Sequence, residues 1–335
     1  MAISLQARAW TAEEQLSLVS GYDSNVYRNF EGIPGEPVLG DGFLQLGADL
    51  DAYGTPWSHQ QSELVAQLGA RLFAVQSPED TGVGQLTLTH SIGFNRWLAL
   101  RLDGSGKDKW VANDDRAYKD LGAGATAVLG PLARTRLELR VGYRSFDYLP
   151  DPDFSEWGPA LGAALISTPW RKQTLFADYR LFPQRYQGAR IFPDGSSDGQ
   201  RFDWYHVASV GYSLHRPFVL SATYSFIDDR SDSYGESFLR HRLELLVGVA
   251  LPWELYLVGI GALQLTSYPD GLYLSPQILL LEDDDDLDEI SVKLSRDLGH
   301  GLSLEARYGY YQNDLLQNGL AYRRHVVYLG LAYRH

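Results

Sequence analysis

The sequence predicts a membrane-spanning, up-and-down antiparallel β-barrel of about sixteen strands. Three observations predict it. Apolar side chains recur at every second position over stretches of about ten residues, which suits one face to lipid and the other to water. The gaps between stretches alternate between short and long, as tight turns at one end of a barrel and loops at the other require. Tryptophans gather beside both kinds of gap, where a barrel meets its two membrane interfaces. Leu302, Leu304, Ala306, Tyr308 and Tyr310 interleaving with Ser303, Glu305, Arg307, Gly309 and Tyr311 show the pattern at its clearest.

Taken in order, strands are expected over Gln15–Val26, Gly42–Tyr53, Glu63–Val75, Gly84–Ile92 and Trp97–Gly104. They continue over Tyr118–Leu129, Thr135–Phe146, Trp157–Ile166, Gln173–Phe182, Phe202–Leu214, Phe218–Asp228 and Leu239–Leu251, and end with Trp253–Thr266, Glu289–Leu298, Leu302–Gln312 and Arg324–His335. Residues 1–14 then form a periplasmic N-terminal segment and residues 15–335 the barrel. Tight connectors carry Gly93–Arg96, Gly130–Arg134, Thr168–Lys172, His215–Pro217, Pro252 and Gly299–Gly301. Long ones hold Tyr27–Asp41, Ser105–Ala117, Asp147–Glu156, Pro183–Arg201, Asp229–Phe238, Ser267–Asp288 and Asn313–Arg323. Gly54–Ser62 is long for a turn, and Gln76–Val83 is short for a loop. Tight turns of such barrels face the periplasm, so both termini are expected there.

Composition agrees. Tyr (21), Gly (33) and Trp (8) are abundant and cysteine is absent, which suits strands, turns and interfaces and excludes disulfides and thiolate metal sites. The most apolar region, Leu243–Leu265, is interrupted by Glu244 and Glu254 and broken by Pro252-Trp253, so it reads as two strands and a turn rather than a membrane helix. No basic stretch leading into an apolar run stands at the N-terminus, and an exported protein is expected here in its mature form.

Trp57, Trp97, Trp170 and Trp253 fall at tight turns, and Trp110, Trp157 and Trp204 in or beside long loops, which predicts two interfacial girdles. With the apolar set facing lipid, the lumen receives Arg71, Arg101, Arg136, Glu138, Arg140, Arg144, Asp178, Arg180, Arg240, Arg242, Glu244, Lys293, Glu305 and Arg307, besides Asp49, Asp51, Glu63, Asp103 and Arg334. Charges at that density cannot be buried dry, since an unpaired ion in an apolar core costs several kcal/mol. A wet interior or a polar plug follows, and about sixteen strands are wide enough for an aqueous channel. Arg136, Arg140 and Arg144 with Arg240 and Arg242 suggest a cationic wall; the plainer expectation is ion pairing with Glu138, Glu244 and Asp178. Inward glycines recur near mid-strand, as at Gly21, Gly142 and Gly309.

The acidic run Glu282–Glu289 includes Asp283, Asp284, Asp285 and Asp286, whose carboxylates are candidates for divalent cations beside lipopolysaccharide, with a solvated surface the simpler reading. Leu272–Leu281, just before it, is apolar enough for a constriction at the pore mouth. The eight His are scattered without metal-ligand spacing, and neither a Gly-x-Ser-x-Gly elbow nor a Gly-Lys phosphate loop is present, so no catalysis and no cofactor is expected. A net charge of -13 disfavours nucleic acid.

The final strand, Tyr328-Leu329-Gly330-Leu331-Ala332-Tyr333-Arg334-His335, resembles the C-terminal assembly signal of Gram-negative outer-membrane proteins, with His335 where Phe is usual. Gly21-Tyr22-Asp23-Ser24-Asn25-Val26 resembles the opening strand of barrels found in surface lipoprotein assembly modifiers and some polysaccharide-export porins. The resemblance implies an outer-membrane location, with lipid and lipopolysaccharide as partners and a periplasmic or surface protein as a further one. Two functions are then expected: a pore for small polar solutes or the conduit of an export system, or else a non-conducting barrel that anchors a cell-envelope machine.

Overall fold

Each alternating stretch forms a strand, and the last pairs with the first. A computed structural model describes residues 10–29, 31, 37–114, 116–132, 134–269, 288–315 and 320–335. The strands are β1 (Thr11–Asp23), β2 (Asp41–Gly54), β3 (Gln60–Phe73), β4 (Thr81–Asn95), β5 (Leu98–Val111), β6 (Tyr118–Leu132), β7 (Thr135–Tyr148) and β8 (Glu156–Ser167). They continue as β9 (Gln173–Ile191), β10 (Ser197–His215), β11 (Val219–Ser231), β12 (Phe238–Leu251), β13 (Leu255–Ser267), β14 (Asp288–Gly299), β15 (Leu302–Leu315) and β16 (Leu320–Arg334). Every strand pairs antiparallel with its sequence neighbours, and β1 pairs β16, giving a closed barrel of sixteen strands. Both described ends of the chain lie with the tight turns, because Thr11 opposes Tyr53 at the β2–β3 end and Gln15 opposes Arg334.

The period of two decides the faces. Along β15, Leu304 and Tyr308 are exposed, and so are Leu294 on β14 and Leu331 on β16, all on the outside. Glu305 opposes Ser295, and Arg307 opposes Lys293 and Tyr328, on the inside. The same register carries this division round the barrel. In Leu243–Leu265 the expected turn forms between β12 and β13, with Trp253 at φ 63° and Glu254 at φ 59°.

Most strands outrun their expected ends on the long-loop side, while β1 stops at Asp23 and β3 at Phe73, short of Val26 and Val75. β5 continues to Val111, and Pro183–Arg201 is mostly strand: β9 and β10 run 19 residues each and leave only 192–196 as a turn. Beyond the membrane both faces of a hairpin meet water, so apolar alternation fades where the strands do not. Gln76–Val83 is short because a 3-10 turn, Ser77–Glu79, tucks buried Glu79 against Arg116 and Asn113 of the neighbouring loop. Pro183 interrupts the β8–β9 ladder between the pairs Trp157–Arg185 and Leu161–Leu181, as a residue without an N–H does. Gly158 lets the two backbones approach there, since a Cβ would run into the Pro183 carbonyl oxygen.

The segment Gly21–Val26 closes the barrel. A Cβ on Gly21 would come within 2.5 Å of the Phe43 ring. Asp23, fully buried, accepts from Arg324 Nε at 2.9 and 3.0 Å and from the Asn25 backbone N–H at 3.1 Å. Asn25 Nδ2 donates to the carbonyls of Asn29 and Arg323, and the Ser24 N–H donates to the His325 carbonyl. Residues that resemble an opening strand thus tie β1 to β16.

Candidate functional site

The inner face carries a belt of arginines held by few carboxylates. Glu138 on β7, 2% exposed, accepts from Arg136 Nε at 3.0 Å, from Arg140 Nη2 at 3.0 Å and from Arg101 Nη2 on β5 at 3.2 Å. The Arg101 contact skips a strand, passing over the small buried side chain of Thr126 on β6. Arg140 also donates to Asp178 on β9, and Arg180 Nε lies 2.9 Å from the same carboxylate. Four guanidiniums on two carboxylates leave this wall net positive. Arg144, nearer the loops, donates to Asp120 at 3.0 Å and approaches Glu156 at 3.4 Å.

Roughly across the barrel, β12–β15 are closer to neutral. Arg242 donates to Glu244 at 2.9 Å, Lys293 to Glu305 at 3.1 Å, and Arg307 to Glu289 at 3.0 Å, while Arg240 donates to Thr266. Arg71 donates to Gln45 on the wall between these two. The charged side chains just named alternate along their strands with the exposed apolar ones. The five arginines of the suggested cationic wall are not one wall, however, because β7 and β12 stand five strands apart, about 24 Å at roughly 4.8 Å per strand. The plainer ion pairing is found for Arg136 and Arg140 with Glu138 and Asp178 and for Arg242 with Glu244, whereas Arg144 pairs with Asp120 and Glu156 and Arg240 donates to Thr266.

At the long-loop end the lumen holds a cavity of about 380 Å³, with a second of about 360 Å³ that shares Lys109, Arg116 and Tyr118 with it. There Arg201 is paired with buried Asp203 and with Glu236 at 3.0 Å. Burial pushes the Glu236 carboxyl above its ordinary pKa, and Arg201 opposes the shift.

Trp57, Trp97, Trp170 and Trp253 lie at the tight-turn end and are all exposed; Trp110 and Trp204 are exposed at the other end, with Trp157 half-buried beside them. Thirteen positions separate Trp97, just before β5, from Trp110 near its end, and Trp157 on β8 from Trp170 in the turn that follows. At roughly 3.3 Å per residue and about 40° of tilt this spans about 33 Å, close to a bilayer's hydrocarbon core. If both sets sit at membrane interfaces, bromines near the lipid headgroups should quench tryptophan emission more strongly than bromines at the chain ends. Equal or inverted quenching would contradict that placement.

A feature that sequence reasoning missed accompanies the long-loop rim. Tyr179, Tyr224 and Tyr308 each share a hydrogen bond with Nδ1 of a histidine on the next strand, His206, His241 and His325, at 2.7, 2.7 and 2.9 Å. All three pairs are outward and diagonal, so each keeps two polar groups partnered on a face otherwise apolar. The equal spacing of seventeen residues in Tyr224/His241 and Tyr308/His325 is the sequence signal. Asp283–Asp286 and Leu272–Leu281 lie outside the described residues.

A closed barrel of sixteen strands with an apolar outside, a charged inside and turns of two lengths decides the comparison with known folds. The fold is that of the outer-membrane porins. An anion-selective porin from Comamonas acidovorans superposes with a TM-score of 0.54 at 9% identity, over 98% of this chain and 100% of that one. OmpT, an outer-membrane protein of Vibrio cholerae, gives 0.51 at 10% identity over 98% of each chain. OccAB3 of Acinetobacter baumannii gives 0.50 at 11% identity over 97% and 99%. No protein-family model and no curated protein matches the sequence. At these identities the porin fold alone is shared.

Proposed function

We propose that this chain is a pore of a Gram-negative outer membrane that passes small polar solutes, selecting by size and by the field of its lumen. The observation that carries the reading is the solvent access of the inner charges: the side chains of Arg136, Arg180 and Glu244 are 51%, 47% and 49% exposed although they face inward. Ions so placed keep their hydration, so the interior is wet. The short turns at one end support a periplasmic placement of that end. Lipid and lipopolysaccharide surround the barrel in this reading, and no catalytic step belongs to it.

Purified barrel added to a planar bilayer should give discrete conductance steps on the nanosiemens scale. Silence from correctly folded protein would overturn the reading in favour of a non-conducting anchor.

A further inference from the structure

The cavity at the outer mouth is lined by far more aromatic surface than a water-filled lumen calls for. Phe182, Tyr205, Phe238 and Tyr268 form an arc with successive ring centroids 6.1, 6.3 and 6.3 Å apart. Tyr118 and Phe146, 5.2 Å apart, line the same cavity from β6 and β7. These rings are inward, so contact with lipid does not explain them, and an apolar patch facing water marks a recognition surface.

Polar groups among the rings complete the chemistry. Gln184 and Asp229 line the cavity and are 8% and 4% exposed. Gln184 Oε1 and Asp229 Oδ1 have no hydrogen-bond partner among the described residues. A cavity that served only as packing would satisfy them, because a buried acceptor left alone costs about 1–3 kcal/mol. They ask for a ligand with hydroxyl groups, which can donate to an amide oxygen and meet a carboxyl in either protonation state. Arg201 is met by Asp203 and Glu236, and Arg144 by Asp120 and Glu156, four carboxylates to two guanidiniums, so these cations call for no anionic ligand.

Donors on a ring that also presents flat C–H faces to aromatic side chains describe a pyranose. A hydrocarbon would cover the rings and leave both acceptors unmet; an inorganic anion would meet neither. We propose that this chamber is a binding subsite for neutral short saccharides passing through the lumen. At about 380 Å³, within the roughly 300–1,000 Å³ of small-molecule sites, it takes one or two sugar units, and the adjoining cavity extends the path. The proposal rests on the pore reading, since it gives the pore its solute class.

Titration calorimetry of the full detergent-solubilised barrel with maltotriose, cellotriose and chitotriose tests it, with poly(ethylene glycol) of equal mass as control. Saturable binding of at least one trisaccharide and none of the polymer is expected. Gln184→Met should weaken it about tenfold, the worth of one good hydrogen bond, and Phe238→Leu, which leaves every polar group in place, should weaken it comparably. No saturable binding up to about 10 mM, well into the weak range, or binding indifferent to both variants, would overturn the proposal. The titration needs no conduction, so a conducting barrel that ignores all three sugars refutes the subsite alone, and a silent barrel that binds them refutes the pore alone.

Discussion

Asp23→Ala should destabilise the folded barrel by about 3–5 kcal/mol, the usual cost of stranding one partner of a buried ion pair. Asp23 is fully buried, Arg324 is 2% exposed, and the two meet through several hydrogen bonds across the β1–β16 seam. With the carboxylate gone, the buried guanidinium loses the hydrogen bonds that Asp23 accepts, and the turn around Asn25 loses an acceptor as well. The double variant Asp23→Ala/Arg324→Ala should recover part of the loss, because removing both charges also removes the desolvation cost. Asp49→Ala is the comparison: that inward carboxylate makes an exposed hydrogen bond to Gln67, and its loss should stay within about 0.5 kcal/mol. Urea unfolding in lipid vesicles measures all three. Equal losses for Asp23→Ala and Asp49→Ala would contradict the role given to the seam.

Glu138→Gln should shift ion selectivity toward anions. Glu138 balances Arg101, Arg136 and Arg140, and neutralising it adds one positive charge to a wall already rich in arginine. One unit charge about 10 Å from a passing ion in water is worth about 0.4 kcal/mol, so the anion-to-cation permeability ratio should rise roughly twofold to fourfold. The change should be clear at 0.1 M salt and largely gone at 1 M, where the Debye length falls to about 3 Å. Its stability cost should be smaller than at Asp23, since the arginines are a third to a half exposed and water takes up their charge. Reversal potentials under a salt gradient check the prediction. Glu254→Gln, in the β12–β13 turn, should leave them unchanged, and an unchanged value for Glu138→Gln would refute the belt's part in selectivity.

Much of this was legible in the sequence because lipid imposes a strict period. Wherever a strand crosses the bilayer its outward residues must be apolar, so β15 shows itself through Leu304, Ala306 and Tyr308 in the sequence alone. The same rule ends at the rim. Arg185, Arg190, Asp198 and Gln200 are as polar as a loop, yet β9 and β10 pair through them, since a hairpin wet on both faces has no apolar side to display. Inner charges could be assigned to a face, but not to partners: that Arg101 reaches over Thr126 to Glu138 depends on strand stagger, which no local pattern records. Asp23 and Asn25 stood inside a recognisable segment, but their burial follows from the pairing of two strands about three hundred residues apart in the chain. The aromatic chamber assembles from β6, β7, β9, β10 and β12, and its orphan acceptors become visible only once every neighbour is in place.

The absence of cysteine allows a direct test of the wet interior. Single cysteines placed in turn at Leu304, Glu305, Ala306, Arg307 and Tyr308, in barrels reconstituted into lipid vesicles, can be exposed to a membrane-impermeant sulfonated maleimide. The structure predicts rapid labelling at positions 305 and 307 and protection at 304, 306 and 308. Labelling without alternation, or protection at 305 and 307, would contradict a water-filled lumen behind a lipid-facing wall.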